Sequence, residues 1–281
     1  MESISRISRA VFLILILFVF PQAFSQYYVS NEVEEMYVLE VKQFDEFVER
    51  FNFDEQTPAI QYLRDKHPKS PLTREVFIRS LIHSEAQNRL VNEFVEEVCN
   101  ASLPHFISFY DFEWYAEVQC TFNYNGYPIE TQVILQNEVL EDNSSRWIVV
   151  GIRENFVPPG GRCDTLPPSE NPLACLNPMS HATGFIGLRR AFRDKANLRN
   201  YFTTEEWNQS LTYFAHELFH KRLNLVSVGK ITYHLLQLDN WIMVVNEYPT
   251  GTREAGLRIS RLMKSTRKSK IRYKKKKLGL Q

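Results

Sequence analysis

Three features of the 281-residue chain predict an α+β fold. Apolar residues recur at helical spacing through 31–52 and again through 84–98. From Ala116 the period changes to strict alternation, which runs straight into Asn125-Gly126. Beyond a proline-rich stretch the same order, helix and then strands, returns. Helices that precede a long antiparallel meander carry an apolar stripe, and one face of the sheet is where it is buried. The expectation is helices packed on a curved antiparallel meander, followed by a smaller helix-plus-hairpin α+β unit.

In the first helix, predicted over 31–52, Tyr37, Val41, Phe44, Val48 and Phe51 share one face. Asn31 stands as its N-cap, with Glu34 three residues on. Thr57-Pro58 and His67-Pro68-Lys69-Ser70-Pro71 interrupt the pattern, because proline disfavours a helical residue before it. Thr73 is placed to cap a second helix, and Leu90, Phe94 and Val98 stripe a third. Ala116, Val118, Cys120, Phe122 and Tyr124 then alternate with Glu117, Gln119, Thr121 and Asn123, which marks a half-buried strand. Asn125 and Gly126 both tolerate positive φ and so predict a type I′ hairpin. The return strand is expected at about 127–140, a turn at 141–145 and a third strand from Arg146 to Arg153. These elements make a first domain of residues 26–156.

Residues 157–180 hold Gly160-Gly161, two cysteines and many prolines, and read as a linker or a pinned loop. The second domain, 181–263, opens with a short helix from Phe185 to Phe192. Thr203-Thr204-Glu205-Glu206 reads as a capping box for a helix reaching about Arg222. Val226 to Leu238 and Trp241 to Val245 read as strands joined through Asp239-Asn240. Both units run from helix to strands, and Trp147-Ile148 and Trp241-Ile242 open similar strings, which raises a distant duplication. From Lys264 to Lys277 there are nine Lys or Arg and no acid. With one Tyr, one Ile and no helical stripe, residues 264–281 read as a solvated, disordered basic tail. Such a patch suits an anionic surface, and no specific nucleic acid is foreseen.

Arg6 and Arg9, the apolar run from Ala10 to Phe20 and the segment Pro21-Gln22-Ala23-Phe24-Ser25 make residues 1–25 a signal peptide cleaved after Ser25. The run is about half of the roughly 20 apolar residues that a bilayer span needs. No cysteine follows it, so a lipid anchor is not expected. The anticipated location is periplasm or cell surface, with no transmembrane helix in the mature chain. Formal charge is balanced overall, but the basic tail leaves the remainder acidic. An aromatic content of 13% provides for a packed core and argues against global disorder.

An even number of cysteines in an exported chain permits disulfides. Cys163 and Cys175 bracket the proline-rich segment, and their pairing is the preferred reading. Cys99 and Cys120 are a further option. Neither pair has the Cys-x-x-Cys spacing of a zinc or redox site.

His216-Glu217-x-x-His220 matches the zincin signature, in which two histidines one turn apart hold Zn²⁺ and the glutamate activates its water. A catalytic site needs a third protein ligand. Leu223 and Val226 stand where the extended motif has glycine and histidine, and Lys221 and Arg222 bring positive charge beside the second histidine. Glu247 or Glu254 would have to complete the set. The context argues against zinc, and the metallopeptidase is the alternative reading.

Arg50-Phe51-Asn52, the string Arg146-Trp147-Ile148-Val149-Val150-Gly151-Ile152 and Tyr233-His234-Leu235-Leu236-Gln237 resemble a group of uncharacterised exported proteins of bacteroidete bacteria. The order of elements in the first domain is similar to the nuclear-transport-factor-2-like fold, where helices fill the concave side of a curved sheet. The resemblance implies an architecture and a cell-envelope setting, and carries no catalytic residue. A pocket between helices and sheet would draw on His105, Asp111, Tyr110, Trp114 and Tyr115. Binding or scaffolding with an envelope ligand, without catalysis and without a cofactor, is the expected role.

Overall fold

A computed structural model describes residues 40–69, 72–84, 86, 88–153, 166–249 and 254–280. The expected signal peptide, the Asn31 cap and Tyr37 lie outside the described residues. Among the described residues, helices α1 (Phe44–Asn52), α2 (Pro58–Lys66), α3 (Arg74–Ser80) and α4 (Asn88–Val98) come first. Strands β1 (Trp114–Tyr124), β2 (Tyr127–Val139) and β3 (Ser145–Ile152) follow. After them come a 3₁₀ helix at Pro178–Thr183, α5 (Leu188–Ala191), a second 3₁₀ helix at Lys195–Tyr201 and α6 (Gln209–Phe219). Strands β4 (Leu223–Leu235), β5 (Trp241–Tyr248) and β6 (Gly256–Lys264) lead to α7 (Arg267–Tyr273) and a π turn at Lys274–Leu278.

All six strands form one antiparallel sheet in the order β3-β2-β1-β4-β5-β6. The division into domains 26–156 and 181–263 is therefore corrected. β1 has two hydrogen-bonding edges; β2 takes one and β4 the other, so the strands on both sides of 157–180 share a single sheet. The order is symmetric about the β1–β4 seam, two three-stranded meanders back to back. Trp147 lies in edge strand β3 but Trp241 in β5, so the two Trp-Ile strings fall on non-equivalent strands.

The predicted hairpin is present: Asn125 and Gly126 have φ of 50° and 94° and join β1 to β2. Even-numbered β1 residues Trp114, Ala116, Val118, Cys120 and Phe122 face the main core. Helices cover that face. The Phe44 ring of α1 stacks on Trp114 with centroids 4.1 Å apart, and Phe214 of α6 meets Phe122 edge-on at 5.4 Å. Each such ring, fully buried, stabilises the fold by about 2 kcal/mol relative to leaving it exposed.

Four local expectations change. Within the described residues the helix expected over 31–52 begins at Phe44, because a Gln43–Glu46 capping box opens it there and Val41 instead bridges Gly256 beside β6. Thr57-Pro58 starts a helix where an interruption was expected, with proline at the first turn, where its missing N–H costs nothing. The Thr203-Thr204-Glu205-Glu206 string caps no helix: α6 opens at Asn208, whose side chain accepts from Leu211 N at 2.8 Å. The basic tail is ordered. Tyr273 and Leu278 pack with Tyr115, Ile134, Leu236 and Ile242 on the outer face of the sheet. Lys270 Nζ donates to the carbonyls of Leu236 and Leu238, and Lys274 pairs with Glu113 at 2.6 Å. Hydrophobic periodicity could not reveal this helix, since lysines bound to the sheet supply much of its inner face. Among the described residues no helix is long and apolar enough to cross a membrane.

Candidate functional site

β4 pairs with β1 along its length, but with β5 only at Thr232–Leu235. β5 runs into Pro249, which has no N–H to continue a ladder. Among the described residues no strand lies beside the other edge of Leu223–Ile231. The register between β1 and β4 shifts twice, each time placing an extra residue on β4, around Gly229-Lys230 and at Val226. Such bulges bend a strand and turn its side chains. The result is a groove of about 720 Å³ along the open edge. Leu225 to Ile231 line it together with Thr183, Gly184, Ile186, Arg189 and Glu247 to Pro249.

Its chemistry is mixed. Ile186 and Val226 are 69% and 47% exposed, so apolar surface faces water along the groove. Arg189 and Lys230 bring two cations, neither ion-paired among the described residues, and Glu247 one carboxylate. Tyr248 is held in place by a stack on His83 with centroids 3.9 Å apart. His83 Nε2 lies 3.0 Å from Glu254, whose carboxylate accepts from Ser84 N and Oγ. Those Ser84 hydrogen bonds, with His83 adding to them, hold the Glu254 carboxyl below its usual range. The groove residues were not singled out from the sequence. Gly229-Lys230 inside a strand and Pro249 after one are the signals that marked an edge.

The residues that were singled out lie apart from the groove. The rings of His216 and His220 lie 4.3 Å apart between centroids, tilted by 52°, at the C-terminal end of α6. Partial desolvation, His216 and the cations Arg222 and Lys195 push the His220 imidazole down. Glu217 is buried, and Arg222 donates to both its oxygens, Nε to Oε2 at 2.7 Å and Nη2 to Oε1 at 2.5 Å. That guanidinium holds the carboxyl below its ordinary value against the effect of burial. Among the described residues no group of three or more His, Cys, Asp or Glu could hold a metal. Glu254 is committed to His83 and Ser84, and Glu247 lines the groove. Among the described residues, then, the two histidines have no third ligand beside them, and the glutamate that would serve as base is engaged by Arg222.

The pocket set also disperses. Trp114 and Tyr115 are neighbours on β1 and so face opposite sides of the sheet, Trp114 the helices and Tyr115 the C-terminal strap. Tyr110 is exposed, Asp111 accepts from Glu113 N at 2.6 Å, and the His105 carbonyl accepts from Arg74. Cys99, Cys120 and Cys175 are free thiols, and burial pushes Cys120 up to about 12. Cys163, the partner foreseen for Cys175, lies outside the described residues.

Two buried histidines complete the inventory. His181 Nδ1 donates to the Pro178 carbonyl at 2.8 Å inside a cage of Phe44, Phe109, Trp114 and Trp147, and burial favours its neutral form. His234, fully buried on β4, bridges Tyr273 Oη at 2.8 Å and Glu117 Oε2 at 3.1 Å. Comparison with known protein families, with curated proteins and with solved structures finds no match to this chain.

Proposed function

We propose that this chain is an exported, non-enzymatic binding protein of the cell envelope whose β4 groove takes a short extended peptide. The open edge of β4 carries the reading. Strand backbone without a neighbour presents unpaired N–H and C=O groups, and an added strand satisfies them. Seven residues, Leu225 to Ile231, extend over about 23 Å. Ile186 and Val226 offer contacts for apolar side chains, and Arg189 with Lys230 favours a peptide bearing an acidic group. The nuclear-transport-factor-2-like resemblance and the envelope setting belong to the same proposal, supported by helices gathered on one face of a sheet.

Hydrogen exchange of the full-length protein tests it. Amides of 225–231 should exchange much faster than those of β1, and a heptapeptide of alternating Val and Glu should protect them. Val226→Pro puts a residue without an N–H on the open strand, Lys230→Glu reverses one charge, and each should weaken that protection. Slow exchange at 225–231 in the free protein, or no change with any peptide of a varied extended set, would sink the reading.

A further inference from the structure

The helical strap formed by α7 and the π turn divides into two faces with different fates. Positions 270, 273, 274, 277 and 278 face the sheet. Lys270 is bound to backbone carbonyls, Lys274 to Glu113 and Lys277 to Glu117, and Tyr273 and Leu278 pack on the outer face. Positions 267, 268, 271, 272, 275 and 276 follow helical spacing on the opposite side and are all exposed. They are Arg267, Lys268, Arg272, Lys275 and Lys276, with Ile271 in their midst at 50% exposure. Among the described residues none of these five cations has an ion-pair partner.

A solvated surface normally mixes signs; this stripe does not, and the protein balances its inner lysines while leaving the outer row open. Like charges held one turn apart repel, so the row costs stability unless an anionic partner is present. Beside the strap, Phe112 precedes the Glu113 that Lys274 grips, and it is 60% exposed. Cations flanked by exposed apolar and aromatic side chains provide the two signals that reversible bilayer binding requires. A phosphate backbone would be served by the cations, but it makes no use of an isoleucine at their centre.

We propose that the outward face of this strap docks on an anionic lipid bilayer. The cations lie over the headgroups, with Ile271 and Phe112 reaching the interface. Because the fastening residues are distinct from the docking residues, the outer row is replaceable without unfolding the strap. This site is independent of the β4 groove, and failure of either reading leaves the other standing.

Sedimentation of the full-length protein with vesicles is the test, comparing pure phosphatidylcholine with phosphatidylcholine containing about 30% phosphatidylglycerol. Wild type should partition to the anionic vesicles at least about a hundredfold more strongly, since each cation near such a surface is worth about a fivefold factor. Changing Arg267, Lys268, Arg272, Lys275 and Lys276 together to Gln should remove most of that preference while the melting temperature holds. Any contribution from the apolar N-terminal run or from Arg6 and Arg9 is common to both proteins and cancels. Ile271→Ser should reduce binding to anionic vesicles by a smaller factor. Equal binding to the two vesicle types, or unchanged preference in the five-site variant, would overturn the proposal. So would tight binding to a DNA duplex with none to the anionic vesicles.

Discussion

The hairpin β1–β2 and its counterpart β4–β5 occupy equivalent places in the sheet, yet one is closed and the other gapes. β1 and β2 are in register from Tyr115 with Gln136 to Tyr124 with Tyr127, right up to their turn. β4 and β5 pair from Thr232 to Leu235 and then part. The first turn is two residues in which both φ values are positive, so its twist matches the strands and leaves no freedom of register. The second connection is longer, β5 stops before Pro249, and two bulges bend β4 away. An identical topological position is thus a structural strut in one half and an open edge in the other.

Two glycines sharpen this contrast, and they carry the largest expected difference. Gly126, φ 94°, has nothing within 4 Å of where a Cβ would stand. Gly256, φ 83°, would place a Cβ 2.4 Å from the Val41 carbonyl oxygen, at the bridge that ties the start of the described chain to β6. Gly126→Ala should cost about 1 kcal/mol, the price of a left-handed backbone alone. Gly256→Ala adds a backbone clash and should cost about 3 kcal/mol or more. Urea denaturation of both variants measures the difference. Equal costs would mean that φ decides and the Val41 contact does not.

Acid should separate the two faces of the sheet. Burial alone would raise Glu117, but hydrogen bonds from His234 and Lys277 outweigh it and bring it from 4.5 down to about 2. A carboxyl lowered in the folded state stabilises above its unfolded value, and that contribution disappears as pH falls from about 4.5 to about 2. It amounts to about 3 kcal/mol. His234 moves the other way in charge: burial lowers it from 6.5, so on acidification the unfolded chain takes up a proton before the folded one. Its contribution is complete above pH 6.5 and declines below. Stability should therefore fall in two stages, beginning near pH 6.5 and steepening below 4.5, with the strap leaving the sheet in the second. Glu117→Gln should abolish the lower stage attributable to this site. Denaturation midpoints from pH 8 to pH 2 would check this, and a flat profile between 7 and 5 would contradict it.

What was legible in the sequence follows the same division. Where local chemistry decided the outcome, the elements were readable. Thr73 caps α3, Asn125-Gly126 makes its hairpin, and alternation from Ala116 marks β1. Where partners far along the chain decided it, they were not. Val41 fits a helical stripe equally well, and the backbone of Gly256 draws it into an extended bridge. The strap was hidden because its anchoring depends on Glu113, Glu117 and the carbonyls of Leu236 and Leu238. The groove was hidden because it is an absence of pairing, which no single segment encodes.

The smallest effect expected belongs to the most eye-catching motif. In a zincin, both histidines and the intervening glutamate act as a unit, and loss of any one removes activity. Here they should come apart. His220 is exposed and His216 half-buried, so alanine at either should change stability by no more than about 0.5 kcal/mol. Glu217 is buried and holds Arg222, which is 41% exposed; Glu217→Gln should cost about 1–2 kcal/mol after allowing for solvent screening. Added zinc should leave the melting temperature of wild type where it was. A rise with stoichiometric zinc that His216→Ala removes would restore the metal reading. A larger loss at Glu217 than at either histidine, with no response to zinc, is what a tether between the end of α6 and the start of β4 requires.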